Sequence, residues 1–117
     1  MGLRDRVKKL ASSTEDIDND RLQERFKGVD VVNIADAPLR EPVRISGEVT
    51  SIQIVPRAGS PSLEVTVGDG TGKAVAVFTG RRKIAGITPG RGVVLEGVGG
   101  RHGNRFQLLN PAYTLLG

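Results

Sequence analysis

No cysteine occurs among the 117 residues of the chain. That absence excludes a disulfide framework, a thiolate nucleophile and Cys-ligated zinc together, and it fits a reducing compartment. Tryptophan is also absent, and there is a single histidine, His102. It stands in a "RHGN" turn with no partner carboxylate in a recognisable motif, so the plainer reading is a solvated turn residue. Aromatic residues are few: Phe26, Phe78, Phe106 and Tyr113. No apolar run approaches the roughly 20 residues of a membrane span. The basic start "MGLRDRVKKL" is not followed by the apolar stretch of a signal peptide. The sequence therefore reads as a cytoplasmic protein of one barrel-sized domain, with no membrane partner.

Glycine is abundant, at 16 residues. Four residues of "VTVGDGTGKAVAV", the "GTGK" of 70–73, invite a phosphate-loop reading. A Walker loop needs a glycine at 67 and a Ser or Thr at 74. Val67 and Ala74 stand there, and a Val-rich strand follows instead of a helix. A Gly-x-Gly-x-x-Gly fingerprint fails at Lys73 in the same way. Asp69-Gly70 is a strong turn dipeptide, so the stretch reads as a hairpin. The acids after Val43 are Glu48, Glu64, Asp69 and Glu96. Three fall at outward strand positions and the fourth in the turn, leaving no pair for acid–base chemistry. No enzymatic activity, cofactor or metal is expected.

Charge is unevenly placed. Residues 1–42 carry 8 Lys/Arg against 9 Asp/Glu, a net −1, and residues 43–117 carry 9 against 4, a net +5. A localised basic excess favours a polyanionic partner.

Organisation changes at the same place. Residues 1–40 read as a helical and extended segment. Leu3, Val7 and Leu10 are at helical spacing, Ser12 and Glu15 form a capping pair, and a second helix is expected over Asp18–Lys27 with Leu22 and Phe26 one turn apart and Gly28 as its stop. Residues 41–117 read as a barrel. "VRISGEV" alternates, and its apolar parity flips after Thr50 and Ser51, as a β-bulge produces. "PRAGSPS" reads as a loop, "LEVTV" and "KAVAVF" as strands two and three, and "GRRKIAGITPG" as an insert with one short helix. "VVLEGVGG" is strand four, "RHGN" a turn, and "RFQLLN" with "AYTLL" strand five. Five short strands with Gly-rich turns suggest a small closed all-β barrel. The alternation alone does not say whether Ala74, Ala76 and Phe78 or Val75 and Val77 face inward.

These features resemble the OB fold, a five-stranded Greek-key barrel with a helix between strands three and four. The "DGTG" hairpin and the closing "NPAY" are similar to the wedge OB domain of RecG-type DNA helicases. The "GRRKIAGITPGR" run (Gly80–Arg91) and "NPAYTL" (Asn110–Leu115) resemble more closely a family of small actinobacterial OB-fold nucleic-acid-binding proteins. That resemblance covers roughly residues 40–116 and implies that 74, 76 and 78 face inward. It departs at Phe78, where the family often has Trp.

OB folds bind oligomers across strands two and three, between the loops joining strands one–two and four–five. By that analogy the nucleic-acid-binding candidates are Arg57 in the first loop, Lys73 beside the face, Arg81, Arg82 and Lys83 in the insert, and Arg101 and Arg105 around the second loop. Phe106 shares parity with Leu108 and reads as core. Tyr113 is the candidate for base stacking. The expected partner is nucleic acid, single-stranded or branched DNA or RNA, held by its backbone with little sequence selection. A protein-interaction adaptor on the same barrel is the alternative, motivated by the scarcity of aromatic residues.

Overall fold

The computed structural model describes residues 16–117, except for the side chain of Arg57. The expected first helix and the Ser12–Glu15 capping pair lie outside the described residues. Six strands follow one another: β1 (Pro42–Arg57), β2 (Ser60–Gly68), β3 (Lys73–Thr79), β4 (Gly92–His102), β5 (Arg105–Leu109) and β6 (Ala112–Leu115). They lie in the order β1-β2-β3-β5-β4-β6, and β1 also pairs with β4, so the sheet closes on itself. The β3–β5 pair is parallel and the others are antiparallel.

Closure depends on β1 serving two neighbours. Residues 42–48 pair with β4 and residues 48–57 with β2. The register slips between Val49 and Ser51. This is the bulge that the parity flip predicts: Thr50 is the extra residue, and its Oγ1 donates to the Thr66 carbonyl at 3.3 Å. A bulge bends its strand and sharpens the twist, which lets one strand turn the corner of a barrel.

The core is filled from alternate positions. Val43, Ile45, Val49, Leu63, Val65, Val67, Val93, Leu95 and Leu108 form it, with Ala74, Ala76 and Phe78 from β3. The inward parity of β3 is therefore the one the family resemblance implies. Small residues at 74 and 76 let β3 sit close to the opposite wall, and Phe78 fills the wider end. The ring of Phe78 meets that of Tyr113 edge-on, with centroids 5.9 Å apart and planes at 87°.

Three expectations need correction. The segment between β3 and β4 contains turns and no helix. Gly80, Gly86 and Gly90 all have positive φ, a backbone state incompatible with a right-handed helix, and Pro89 follows Thr88. Ile84 and Ile87 enter the core from this segment, so it plugs the barrel without helical structure. Next, the expected fifth strand is divided. Asn110 adopts φ 48 and Pro111 has no N–H to continue a ladder. β5 pairs with the end of β4 and β6 with its beginning. Finally, "PRAGSPS" is not an open loop. Arg57 pairs with Ser60 across a two-residue turn, Ala58-Gly59.

The segment before β1 packs on the barrel. Residues 16–25 are helical (α1), and Leu22 and Phe26 are buried as their spacing predicts. The chain turns at Gly28, φ 86, and makes a single 3-10 turn at Ile34–Asp36 that inserts Ile34 into the core. α1 is tied to β1 by one carboxylate. Glu48 accepts from Arg21 Nη2 at 2.8 Å and also contacts Arg25 Nη1 closely. Hydrogen bonds from Arg21, backed by its charge and by Arg25, hold the Glu48 carboxyl below the usual 4.5.

A depressed folded-state pKa stabilises fully above the unfolded value, and the gain is lost as pH falls through the folded one. Glu48→Gln is therefore expected to lower the midpoint of thermal unfolding at neutral pH. The loss corresponds to about 1 kcal/mol for partly screened pairs. Calorimetry of both proteins down to about pH 3 should show the difference closing below the ordinary carboxylate range.

Candidate nucleic-acid interface

The outward parity of β2, β3 and β5 forms one surface. Across it the rows run Thr66, Val75, Gln107 and then Glu64, Val77, Leu109. Val75 and Val77 are only 4% and 1% exposed although they lie outside the core cluster. Among the described residues no aromatic ring stands in these rows. Glu64 is buried beside them and takes a salt bridge from Arg105 Nη1 at 3.2 Å.

The sequence-selected cations fall at the two ends of this surface. At one end, Arg57 closes the β1–β2 hairpin. The Gly80 N–H donates to the Pro61 carbonyl at 2.8 Å, which sets the exposed Arg81, Arg82 and Lys83 beside that hairpin. At the other end the parallel β3–β5 pairing puts Ala74 opposite Phe106, so Lys73 and Arg105 start adjacent strands. Lys73 and Arg101 line one cavity with Asn104 and Phe106. β3 separates the two ends by about 20 Å at about 3.3 Å per residue. His102 is exposed and pairs with Arg105 beside a tight two-residue turn, Gly103-Asn104. Tyr113 lies on β6, which pairs with β4 and not with β2 or β3, and its ring contacts Phe78.

The "DGTG" turn is held by its own acid. Asp69 is buried. Its Oδ1 accepts from the Thr71 N–H at 2.9 Å, the Thr71 hydroxyl at 2.7 Å and the Gly72 N–H at 3.1 Å. Its Oδ2 accepts from the Ile34 N–H at 2.9 Å. The Thr71 hydroxyl oxygen in turn accepts from the Ala35 N–H at 3.2 Å. The turn therefore also anchors the 3-10 segment, a contact between residues 35 positions apart that no local pattern announces.

Sequence reasoning also missed Arg40. Its N–H donates to the Gly99 carbonyl at 2.8 Å, carrying the chain across β4 beside the β4–β5 hairpin. The side chain lines a groove with Arg101 and His102. The only sequence signal was its place between Pro38 and Pro42, which marks an extended crossing.

No family model matches the sequence, and no curated protein does. Among solved structures, a chain of a Replication Protein A heterotrimer bound to ssDNA is similar at 18% identity, with a TM-score of 0.51. The match covers 71% of this chain and 62% of that one, so this chain spans less than two thirds of its relative's length. The fold is OB-like. At this identity the likeness concerns fold, and the residues at the two ends of the OB-like face are this chain's own.

Asp69→Ala removes the acceptor of two turn N–H groups and of the Ile34 N–H. It is expected to cost about 2–4 kcal/mol, since orphaned buried donors add to the lost charge-assisted bonds. Urea unfolding monitored by circular dichroism measures it, and Asp69→Asn, which keeps one acceptor oxygen, should lose less.

Proposed function

We propose that the chain is a nucleic-acid-binding OB module that grips the backbone of single-stranded or branched DNA, or of RNA, with weak sequence selection. The observation that carries this reading is the placement of Lys73, Arg101 and Arg105 at one end of the β2–β3 face and Arg81, Arg82 and Lys83 at the other. Phosphates bound at both ends would draw the strand across the centre between them, past Thr66, Gln107 and the Glu64–Arg105 pair. Guanidinium stacking from the arginines would substitute for aromatic rings. The solved chain of like fold comes from an assembly bound to ssDNA, which supports the same ligand class. The connectivity suits the Greek-key barrel of RecG-type wedge domains and of the small actinobacterial family. A cytoplasmic setting and a role in DNA transactions go with that reading. It is a binding function, not catalysis: the two buried carboxylates among the described residues, Glu64 and Asp69, are both engaged in structural contacts.

The test is fluorescence anisotropy with labelled single-stranded, duplex and forked DNA and with RNA across a salt series. With about four phosphate contacts the log–log slope should be near −3, at about −0.7 per contact for single strands. Replacing Arg81, Arg82 and Lys83 together by Ala should weaken binding by about 10- to 100-fold and flatten the slope by about 2. No binding to any of these ligands at low salt would sink the reading.

Glu64 places a negative charge in the centre of the face. Glu64→Gln is expected to tighten binding by roughly 5-fold, an effect of about 1 kcal/mol for a charge in a partly screened site. The same titration measures it.

A protein-interaction adaptor is favoured by one observation, that no aromatic ring stands in the rows of the face among the described residues. Recovery of a protein partner after nuclease treatment supports it, and complete loss of recovery removes it.

A further inference from the structure

Arg40 is held in a backbone conformation that its residue type disfavours. Its φ is 63, in the left-handed region, where a side chain crowds the following carbonyl. Asn110 is the other described non-glycine residue with positive φ. Asn visits that state more readily than most residues, and the Asn110 side chain is fixed there by accepting from the Thr79 N–H at 2.9 Å. Arg40 has no such compensation. Strained residues of this kind persist where the side chain is needed in one place. The side chain of Arg40 is exposed, and no ion pair or side-chain hydrogen bond engages it among the described residues. The same holds for Arg101. By contrast, Arg21, Arg25, Arg44 and Arg105 each pair with a carboxylate.

Two adjoining depressions meet at Arg101. The larger, about 370 Å³, lies between Arg40 and the β4–β5 hairpin. The smaller, about 180 Å³, runs from Arg101 to Lys73 and Phe106. The larger one has apolar shoulders, Val98 at 56% and Leu109 at 61% exposure. The next row toward the hairpin pairs Gly100, where an added Cβ would meet nothing within 4 Å, with Gln107. A floor of Val98, Leu109 and bare Gly100 backbone, with the Gln107 amide and cations beside it, suits a planar base joined to a phosphate. Asp36 and Glu41, the acids nearest Arg40 in sequence, line neither depression.

We propose that the groove between Arg40 and the β4–β5 hairpin takes a nucleotide of the bound single strand beyond the β2–β3 face, its phosphate on Arg40 and Arg101 and its base over Val98, Leu109 and Gly100, beside Gln107. This rests on the nucleic-acid-binding reading and adds to it a segment outside the barrel strands, the crossing before β1. The strand path is thereby lengthened around the β4–β5 hairpin toward Lys73.

The experiment compares wild type, Arg40→Gly and Arg40→Lys by anisotropy with oligothymidylates of about 4 and about 12 nucleotides, the range of site sizes of such barrels. Glycine relieves the strained φ, so Arg40→Gly should unfold at or above the wild-type temperature, which separates binding from folding. The expected result is a 5- to 10-fold loss for Arg40→Gly on the 12-mer, with its salt slope flatter by about 0.7. Arg40→Lys should regain most of the affinity. Wild-type binding with Arg40→Gly unchanged on both oligomers, in affinity and slope, overturns this site alone. Failure of the wild type to bind either oligomer overturns the binding reading and this site with it.

Discussion

The carboxylate of Asp69 is the contact on which the arrangement of the site depends. A buried charge is tolerated only when its lone pairs are matched by donors, and here four donors converge on two oxygens. Three belong to the β2–β3 turn and fix its shape. The fourth, the Ile34 N–H, belongs to the segment before β1. One side chain thus sets the hairpin that spans the face and also seats Ile34 in the core. With Ile34 seated, the following residues must cross β4 to reach Pro42, and Arg40 is delivered beside the β4–β5 hairpin.

The barrel wall imposes the second constraint. β3 sits between β2 and β5 and is hidden on both faces, with Ala74, Ala76 and Phe78 inside and Val75 and Val77 shielded outside. A strand covered on both sides leaves little room for large rings, and the outward positions are β-branched and compact. The face therefore carries its unpaired cations at its ends, and its centre holds the shielded valines and the Glu64–Arg105 pair. On the proposed reading, such a surface would engage the phosphate backbone more than the bases, in keeping with the low aromatic content. Tyr113 contributes to closing the barrel through Phe78.

Much of this was legible in the chain. Alternation located β1 to β4 and the stretch that β5 and β6 divide, the parity flip located the bulge at Thr50, and "DGTG" located the central turn. The failures have a common physical cause: each depends on a contact between distant segments or on a backbone state that composition does not reveal. The 80–91 insert carries Ile84 and Ile87 at a helix-compatible spacing, yet its glycines adopt φ values that forbid the helix. The fifth strand looked continuous because Asn110 is not a breaker by itself. It becomes one when its N–H donates to the Val77 carbonyl and its side chain caps the end of β3. "PRAGSPS" has loop composition, but cross-strand pairing carries β1 and β2 almost to their shared tip. Arg57, Arg81, Arg82, Lys83, Lys73, Arg101 and Arg105 were legible as a set, though not their division between two ends. Arg40 was legible only as part of the Pro38–Pro42 crossing, not as a neighbour of the β4–β5 hairpin.

That division follows from how the acids are used. Residues 43–117 have four acidic side chains, and each is engaged: Glu48 by Arg21 and Arg25, Glu64 by Arg105, Glu96 by Arg44, and Asp69 by backbone N–H groups and the Thr71 hydroxyl. Two of the arginines that neutralise Glu48 come from α1, so the segment before the barrel lowers negative charge near its closed corner without adding cations to the face. Of the cations left without a carboxylate among the described residues, Lys73 and Arg101 stand near one end of the face and Arg81, Arg82 and Lys83 near the other, while Lys27, Arg40 and Arg91 lie elsewhere. A net charge of +4 spread evenly would attract a polyanion weakly from every side. Cations left unpaired at the two ends of one face concentrate the positive potential there. The barrel's acids thus shape the interface by where they bind cations, as much as the cations do by where they remain free.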